Sequence, residues 1–269
     1  MSVQLQRAID ILELIEEAER PVGLAEIARQ LDMPKSAAHR LLQVWVKRGY
    51  IEQEEDVQRY SATLKLAILG FAHLNATGIR DICHPDMRLL AKETGELVRL
   101  AVVVGGDSMA WVAEAQGARD GLRYDGNLGR QAVLHATAAG KAWLATLTDE
   151  EAARVVLAQG FPDAGDMGPN ALRTMRALQD ELESIRSRGY STAMEEASIG
   201  VNAVAAAIFE GVASDKVVGS VIVVGPSARM TPARIAEIAP RVMTAAKRLS
   251  SLWPIKIHLD TDVPDQGAA

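Results

Sequence analysis

Residues 33–51 read Met33-Pro34-Lys35-Ser36-Ala37-Ala38-His39-Arg40-Leu41-Leu42-Gln43-Val44-Trp45-Val46-Lys47-Arg48-Gly49-Tyr50-Ile51. Asp32-Met33-Pro34 is a sharp turn. The pattern then predicts a helix from Lys35 to Arg48 that stops at Gly49. Ala38, Leu41, Leu42 and Trp45 recur at helical spacing and form an apolar stripe. Ser36, His39, Arg40, Gln43 and Lys47 fall on another face, where they can donate hydrogen bonds to phosphates or base edges. Residues 33–51 contain no acid, whereas Lys35, Arg40, Lys47 and Arg48 are all present. Residues 1–62 as a whole carry eight basic and eleven acidic side chains. Positive charge is thus segregated onto one helix of a net acidic segment, and duplex phosphates attract such a surface with salt-dependent affinity. Any one of these residues alone is equally consistent with a solvated helix face. Together they point to DNA.

Working outward, Leu5, Ala8, Ile9, Leu12 and Ile15 mark a helix over Gln4–Ala18 that Arg20-Pro21-Val22-Gly23 stops. Leu24–Leu31 is a second, short helix. Tyr50–Gln53 and Gln58–Ala62 read as two strands joined by the acidic tip Glu54-Glu55-Asp56, which argues against deep insertion of that tip into a groove. Three helices followed by a two-stranded ribbon make a winged helix-turn-helix. Arg59, on the second wing strand, is placed to reach a neighbouring minor groove or phosphate. Leu64–Ala76 is a further helix with Leu64, Leu66, Ala67, Ile68, Leu69, Phe71 and Leu74 on more than one face. So much apolar surface calls for a partner, such as a second subunit, and the domain boundary is placed here.

From Ile79 strands and helices alternate. Helices are expected over Ile79–Thr94, His135–Thr146, Asp149–Gln159, Asn170–Arg188 and Thr231–Trp253, the last with Thr231-Pro232 as cap and first position. Strands are expected over Leu97–Val104, Met109–Ala115, Leu122–Asp125, Ala203–Glu210 and Lys216–Val224. Gly105-Gly106-Asp107 gives a hairpin signal between the first two. The tail after Pro254 is polar.

The whole chain has 269 residues, 48% of them hydrophobic, a formal charge of −6 and one cysteine, Cys83. A general polycation is excluded, as are a disulfide within the chain and a multi-cysteine zinc site. The start lacks the charged and apolar blocks of a secretory signal, and no apolar run approaches a bilayer's thickness. A cytoplasmic protein without membrane association is expected. The five histidines are scattered without metal-ligand spacing, and no nucleophile–base pair is present. No metal, cofactor or catalytic residue is therefore expected, and the protein reads as a non-enzyme. Glu195-Glu196 is read as solvated, Cys83 as structural, and Gly140-Lys141 lacks the remaining residues of a P-loop.

The fragments Leu5–Leu14, Gly23–Ala28, Met33–Leu42 and Arg48–Glu52 together resemble the start of an IclR-family transcriptional regulator. Leu134-His135-Ala136-Thr137-Ala138-Ala139-Gly140-Lys141-Ala142 resembles that family's central motif. Ile185–Tyr190, Glu195-Glu196, Gly200-Val201, Gly225-Pro226 and Arg229–Pro232 continue the pattern. The ordered resemblance covers about residues 3–253. It implies an α/β (α+β) chain with a winged helix-turn-helix at 1–63, a linker and dimerisation helix at 64–78 and a GAF-like effector-binding domain at 79–254; the polar residues 255–269 are read as a flexible tail. It further implies a homodimer or dimer of dimers on a pseudo-palindromic double-stranded operator, and a small-molecule effector. Many members carry Thr or Val where this chain has Ala37, a departure that leaves Lys35, Ser36, His39 and Arg40 in place.

For the effector, the small residues Ala136–Gly140 lead into a helix whose free amides near Ala138 and Ala139 suit a carboxylate. Equally, Ala and Gly there allow close packing on the sheet. His135 is expected to orient this loop. Family members that bind small polar acids often carry an acid near Met194, cysteine at the place of Ala203 and serines at the places of Ile222 and Val224. All four positions are apolar here. The resemblance thus implies a larger, hydrophobic or aromatic effector, with Trp111, Leu122 and Tyr124 adding walls. Two other readings stay open: a small-molecule enzyme or binding protein with an accessory N-terminal domain, and a constitutive regulator whose C-terminal pocket has been filled.

Overall fold

The computed structural model describes residues 2–18, 20–54, 57–117, 124, 129, 131–160, 167–211 and 213–253. The expected strand over Leu122–Asp125, the wing-tip residues Glu55 and Asp56, and the tail beyond Trp253 lie wholly or mostly outside them. The chain divides into two compact units, residues 1–76 and 77–269.

The first unit runs α1 (Val3–Glu17), β1 (Val22–Gly23), α2 (Leu24–Gln30), α3 (Lys35–Arg48), β2 (Ile51–Glu54), β3 (Arg59–Ala62) and α4 (Leu64–Thr77), whose last residue belongs to the second unit. It is a helix-turn-helix with a small antiparallel sheet in the order β1-β3-β2. Ile11, Ile15, Val22, Ile27, Ala38, Leu42, Ile51 and Tyr60 share its core. Burial of Val22 draws the residues after α1 onto β3, opposite Tyr60. The stretch read as a plain helix stop is therefore a third strand.

The second unit contains α5 (Ile79–Thr94), β4 (Leu97–Val104), β5 (Ser108–Ala115), α6 (Ala138–Leu144), α7 (Asp149–Gln159), α8 (Met175–Arg188), β6 (Ser191–Met194), β7 (Val201–Phe209), β8 (Val217–Pro226) and α9 (Pro232–Leu252). The five strands form one antiparallel sheet in the order β5-β4-β8-β7-β6. Alternation along each strand feeds two cores. Leu97, Ala101, Ala203, Ala205, Ile222 and Val224 pack with α6, α7 and α8 on one face. Val98, Leu100, Val204, Ala206, Val221 and Val223 pack with α5 and α9 on the other.

Two helices begin later than expected, each for a capping reason. Thr137 caps α6, its hydroxyl accepting from Gly140 N at 3.1 Å, so His135 and Ala136 lie in the preceding turn. Thr174 caps α8 in the same way, accepting from Ala177 N, so Asn170 lies outside that helix. Gly140 is required where it stands, because a side chain there would overlap the Leu134 backbone.

Candidate functional site

In the first unit α3 has the expected bounds. Pro34 holds its N-terminal end, and Gly49, in the left-handed conformation at φ 73°, ends it. Ala38 and Leu42 are buried, and the Trp45 indole donates to Ala8 O at 2.9 Å, which fixes the rotation of the helix against α1. Lys65 at the start of α4 donates to Arg48 O at 2.6 Å and sits 4.5 Å over the Tyr50 ring, so a cation also closes the carbonyl end of α3. With that rotation set, Lys35, Ser36, His39, Arg40, Gln43 and Lys47 are all exposed along one side. His39 Nε2 and Gln43 Nε2 lie 3.5 Å apart. Val44, 57% exposed, stands among these polar groups as an apolar element that the sequence reading did not single out. A thymine methyl is a suitable partner for such a group. Arg59 is exposed, and its guanidinium donates to Pro21 O at 3.3 Å, back toward β1.

In the second unit, a cavity opens between the sheet and α6. It is lined by Trp111, Tyr124, Thr137, Ala138, Ala139, Ala203, Ile222 and Val224, together with Arg99, Ala193, Ala197, Ser198 and Val201. Its volume is small, ≈ 50 Å³. A wider groove of ≈ 300 Å³ runs between α6, α8, β7 and α9. There, however, Arg186 is committed to Ala145 O and Leu147 O. The smaller cavity combines an apolar floor with a buried cation.

Of the ten residues expected around the effector nine are described, and the structure brings seven of them together and leaves two out. Met194 is a correction: on β6 it alternates with Ala193, so its side chain joins the core on the far face while Ala193 lines the cavity. His135 is buried but does not line the cavity. Burial and the nearby Lys141 charge hold its imidazole below the ordinary histidine value. Leu122 lies outside the described residues.

The start of α6 is less open to an anion than its small residues suggest. α6 has only 7 residues, so its dipole is slight, and the Thr137 hydroxyl already takes one of its first amides. Its first carbonyls are held too: Ser191 Oγ donates to Ala138 O, and Ser220 Oγ donates to Ala139 O at 3.2 Å. Close packing on the sheet therefore accounts for the small residues of this segment.

Two charged residues of this unit were read differently or passed over in the sequence. Arg99 on β4 is only 4% exposed, lines the cavity and lies 3.8 Å from the centre of the Trp111 ring. Glu196 is not solvated: it is buried and pairs with Lys141 at 2.5 Å. Burial pushes its carboxyl above the usual carboxylate range, and the Lys141 charge pulls against that. Cys83 is fully buried, and its thiol is pushed up to about 12 by burial and by Asp86. Among the described residues no group of three His, Cys, Asp or Glu could hold a metal ion. No helix among them is long and apolar enough to cross a membrane.

Residues 4–55 match the model of the IclR helix-turn-helix domain, and residues 71–251 match that of the bacterial transcriptional regulator IclR C-terminal domain. The HTH-type transcriptional repressor AllR of Escherichia coli K12 is 30% identical over 254 residues, 94% of this chain and 91% of its own. The fold is shared with an IclR family transcriptional regulator from Brucella abortus, at TM-score 0.79 and 24% identity, covering 94% of this chain and 93% of that one. It is also shared with an IclR homologue from Microbacterium hydrocarbonoxydans, solved with 4-hydroxybenzoate, at TM-score 0.71 and 20% identity over 92% of this chain and 98% of that one. The named relative is a transcriptional repressor. With both family models matched in order along the same chain, the protein belongs to the IclR family of transcriptional regulators.

Proposed function

We propose that the protein is a ligand-responsive repressor that binds a pseudo-palindromic operator through α3 and senses a hydrophobic, ring-sized metabolite in the cavity under α6. In this reading residues 1–63 bind DNA, 64–78 link and dimerise, and 79–254 form a GAF-like effector domain in a cytoplasmic protein. Lys35, Ser36, His39, Arg40, Gln43 and Lys47 face the duplex, and Arg59 adds a phosphate contact beside the wing. Dimerisation through α4 follows from its exposed Leu64, Ile68, Leu69 and Phe71. Two half-sites one helical turn apart then match the two-fold axis of the protein.

One observation carries the effector reading. Trp111, Tyr124, Ala203, Ile222 and Val224 converge on one cavity from β5, β7, β8 and the segment after β5. The Microbacterium relative holds 4-hydroxybenzoate, an aromatic acid of the size class inferred here. The cavity of ≈ 50 Å³ is tight for such a ring. Binding therefore displaces lining groups, and a ligand that fits only the displaced arrangement favours that state over the other. Such differential affinity is what a regulatory ligand requires. The reading is tested by titrating the full-length protein, bound to its operator, with aromatic acids, neutral aromatics and small keto-acids. Release or tightening of DNA by ring compounds supports it. Indifference of both the DNA complex and the melting temperature to the whole panel would leave a constitutive regulator.

A further inference from the structure

We propose that the wider groove between α6, α8, β7 and α9 is a docking site for the chain just beyond α9, residues 254–258, which adds to the open edge of β7 as one short antiparallel strand.

The length of β6 leaves that edge open. Ser191, the first residue of β6, stands opposite Ala205, so among the described residues no strand covers this side of β7 at 206–209. Val201 O accepts from Glu195 N on the β6 side. Two-residue alternation turns the backbone groups of Ala207 the same way. Phe209 is already served there: its N–H donates to Ser250 Oγ at 2.9 Å, and its carbonyl accepts from Gly211 N at 2.9 Å. Ala207 thus presents the N–H and C=O that an added strand takes.

The groove decides what can reach them. Ala142, Ala145 and Ile185 wall it on the side of α6 and α8, and Met243 and Ala246 wall it on the side of α9. The edge of a second sheet is too broad to enter between these helices, whereas a single extended chain suits a volume of ≈ 300 Å³. The chain leaving α9 starts at this place. Trp253 has extended backbone, φ −87° and ψ 142°, and a side chain on Gly211, just past β7, would meet Trp253 O at 3.6 Å. A segment continuing from there runs back along β7, antiparallel like every neighbouring pair in this sheet, and sets Ile257 opposite Ala207. The sequence reads Pro254-Ile255-Lys256-Ile257-His258-Leu259, apolar at every second position. Ala203 and Ala205 face α6 and α8. By alternation Ala207 does too, so Ile257 beside it meets Ala145 and Ile185. Pro254, which lacks an N–H, falls where the nitrogen points away from β7 and no hydrogen bond is lost. Ala138 and Ala139, at the start of α6, line the effector cavity. The docked segment therefore buttresses the helix over that cavity. The family match ends at residue 251, before this segment begins.

The experiment is thiol cross-linking in the full chain. Ala207→Cys is combined in turn with Lys256→Cys, Ile257→Cys, His258→Cys or Asp265→Cys, and air oxidation is followed on non-reducing gels. Cys83 is fully buried, with its thiol pushed up to about 12, and stays out of the reaction. Opposite residues of an antiparallel pair stand about 5.5 Å apart, within reach of a disulfide. Ile257→Cys should close an intramolecular bridge roughly 10-fold or more faster than the other three. Hydrogen exchange supplies a second readout that needs no cysteine, so a folding defect in Ala207→Cys leaves the proposal testable. Ile255→Asp with Ile257→Asp should speed exchange of the Ala207 amide roughly 10-fold or more, and should leave that of Val221, central in the sheet, unchanged. Equal bridging rates at all four positions, or an Ala207 amide indifferent to the two aspartates, overturns the proposal. Bridges that form only between two chains also overturn it and make a second copy the occupant.

Discussion

Lys141 Nζ lies 2.5 Å from Glu196 Oε2, and both side chains are buried. The pair ties α6 to the loop that follows β6. That loop is held from other sides as well: Gly168 N donates to Glu196 O at 2.8 Å, Glu195 N to Asn202 Oδ1 at 2.9 Å, and Met194 N to Glu196 Oε1 at 3.2 Å. It carries Ala197 and Ser198 to the rim of the effector cavity. The ion pair therefore sets the distance between the two sides of the pocket. Without Lys141 the buried Glu196 carboxylate loses its cation, whereas without Glu196 the buried Lys141 ammonium keeps Glu181 at 3.8 Å. Lys141→Met should cost about 3–5 kcal/mol in denaturant unfolding, and Glu196→Ala less. The joint replacement Lys141→Met with Glu196→Leu should recover a large part of that loss. Additive losses in the double variant would show that the two charges do not act as a pair.

His135 gives a pH signature in the same region. Burial, followed by the Lys141 charge, holds its imidazole below the ordinary value. The folded protein keeps the ring neutral under conditions in which the unfolded chain already takes up a proton. The unfolded state then binds more protons, so stability is full above the ordinary histidine value of about 6.5 and falls as pH drops from there toward the lowered one. Urea unfolding between pH 7.5 and 5 should show this decline, and His135→Gln should flatten it. An identical slope in the variant would assign the decline to other groups.

On the DNA side, Arg40→Ala and Gln43→Ala should each weaken operator binding by about 1–3 kcal/mol and relax sequence discrimination, as expected of groups at base edges. Lys47→Ala should weaken binding to all sequences alike and flatten the salt dependence. Gel shifts at two salt concentrations separate these behaviours. Unchanged affinity in both Arg40→Ala and Gln43→Ala would remove α3 from the role of recognition helix.

Long periodic elements were legible in the sequence because their burial patterns repeat several times. α3, α5 and α7 have the expected bounds. Elements set by tertiary pairing left little trace. β1 has 2 residues and β6 has 4, too short for a period to register, and each exists because a neighbouring strand supplies its hydrogen bonds. The same distinction governs the site. Ile222 and Val224 could be placed on one face by counting, whereas Met194 could not, because β6 was not recognised and its alternation was unknown. Arg99 and Glu196 looked like ordinary polar residues. Their burial depends on Trp111 and Lys141, which lie 12 and 55 positions away in sequence.

The apolar surface of α4 carries the assembly prediction. Leu69 and Phe71 are 49% and 55% exposed. Burying such side chains against a second copy is worth about 1.5–3 kcal/mol each. Leu69→Asp with Phe71→Asp should lower the mass found by light scattering and weaken operator binding sharply, since half-sites bound singly lose the benefit of linkage. An unchanged mass would place the subunit interface elsewhere.

The floor of the cavity carries the last prediction. Ile222 and Val224 sit two residues apart on β8, opposite Ala205 and Ala203 of β7, and their side chains face the same core as α6. A ring resting on them gains about 25 cal/mol for each Å² of apolar area removed from water, whereas glyoxylate or pyruvate has little such area to bury. Calorimetry should therefore find small keto-acids weak and ring-bearing acids tight. Ile222→Ser together with Val224→Ser should weaken the ring-bearing acids by about 10-fold or more, because the floor loses apolar contact and gains hydroxyls that a ring cannot satisfy. The same variant should leave DNA affinity in the absence of ligand unchanged, since neither residue lies in the DNA-binding unit. Tight binding of pyruvate-sized acids with no binding of ring compounds would reverse the size selection inferred from the apolar floor, and would do so without touching the assignment of α3 to DNA.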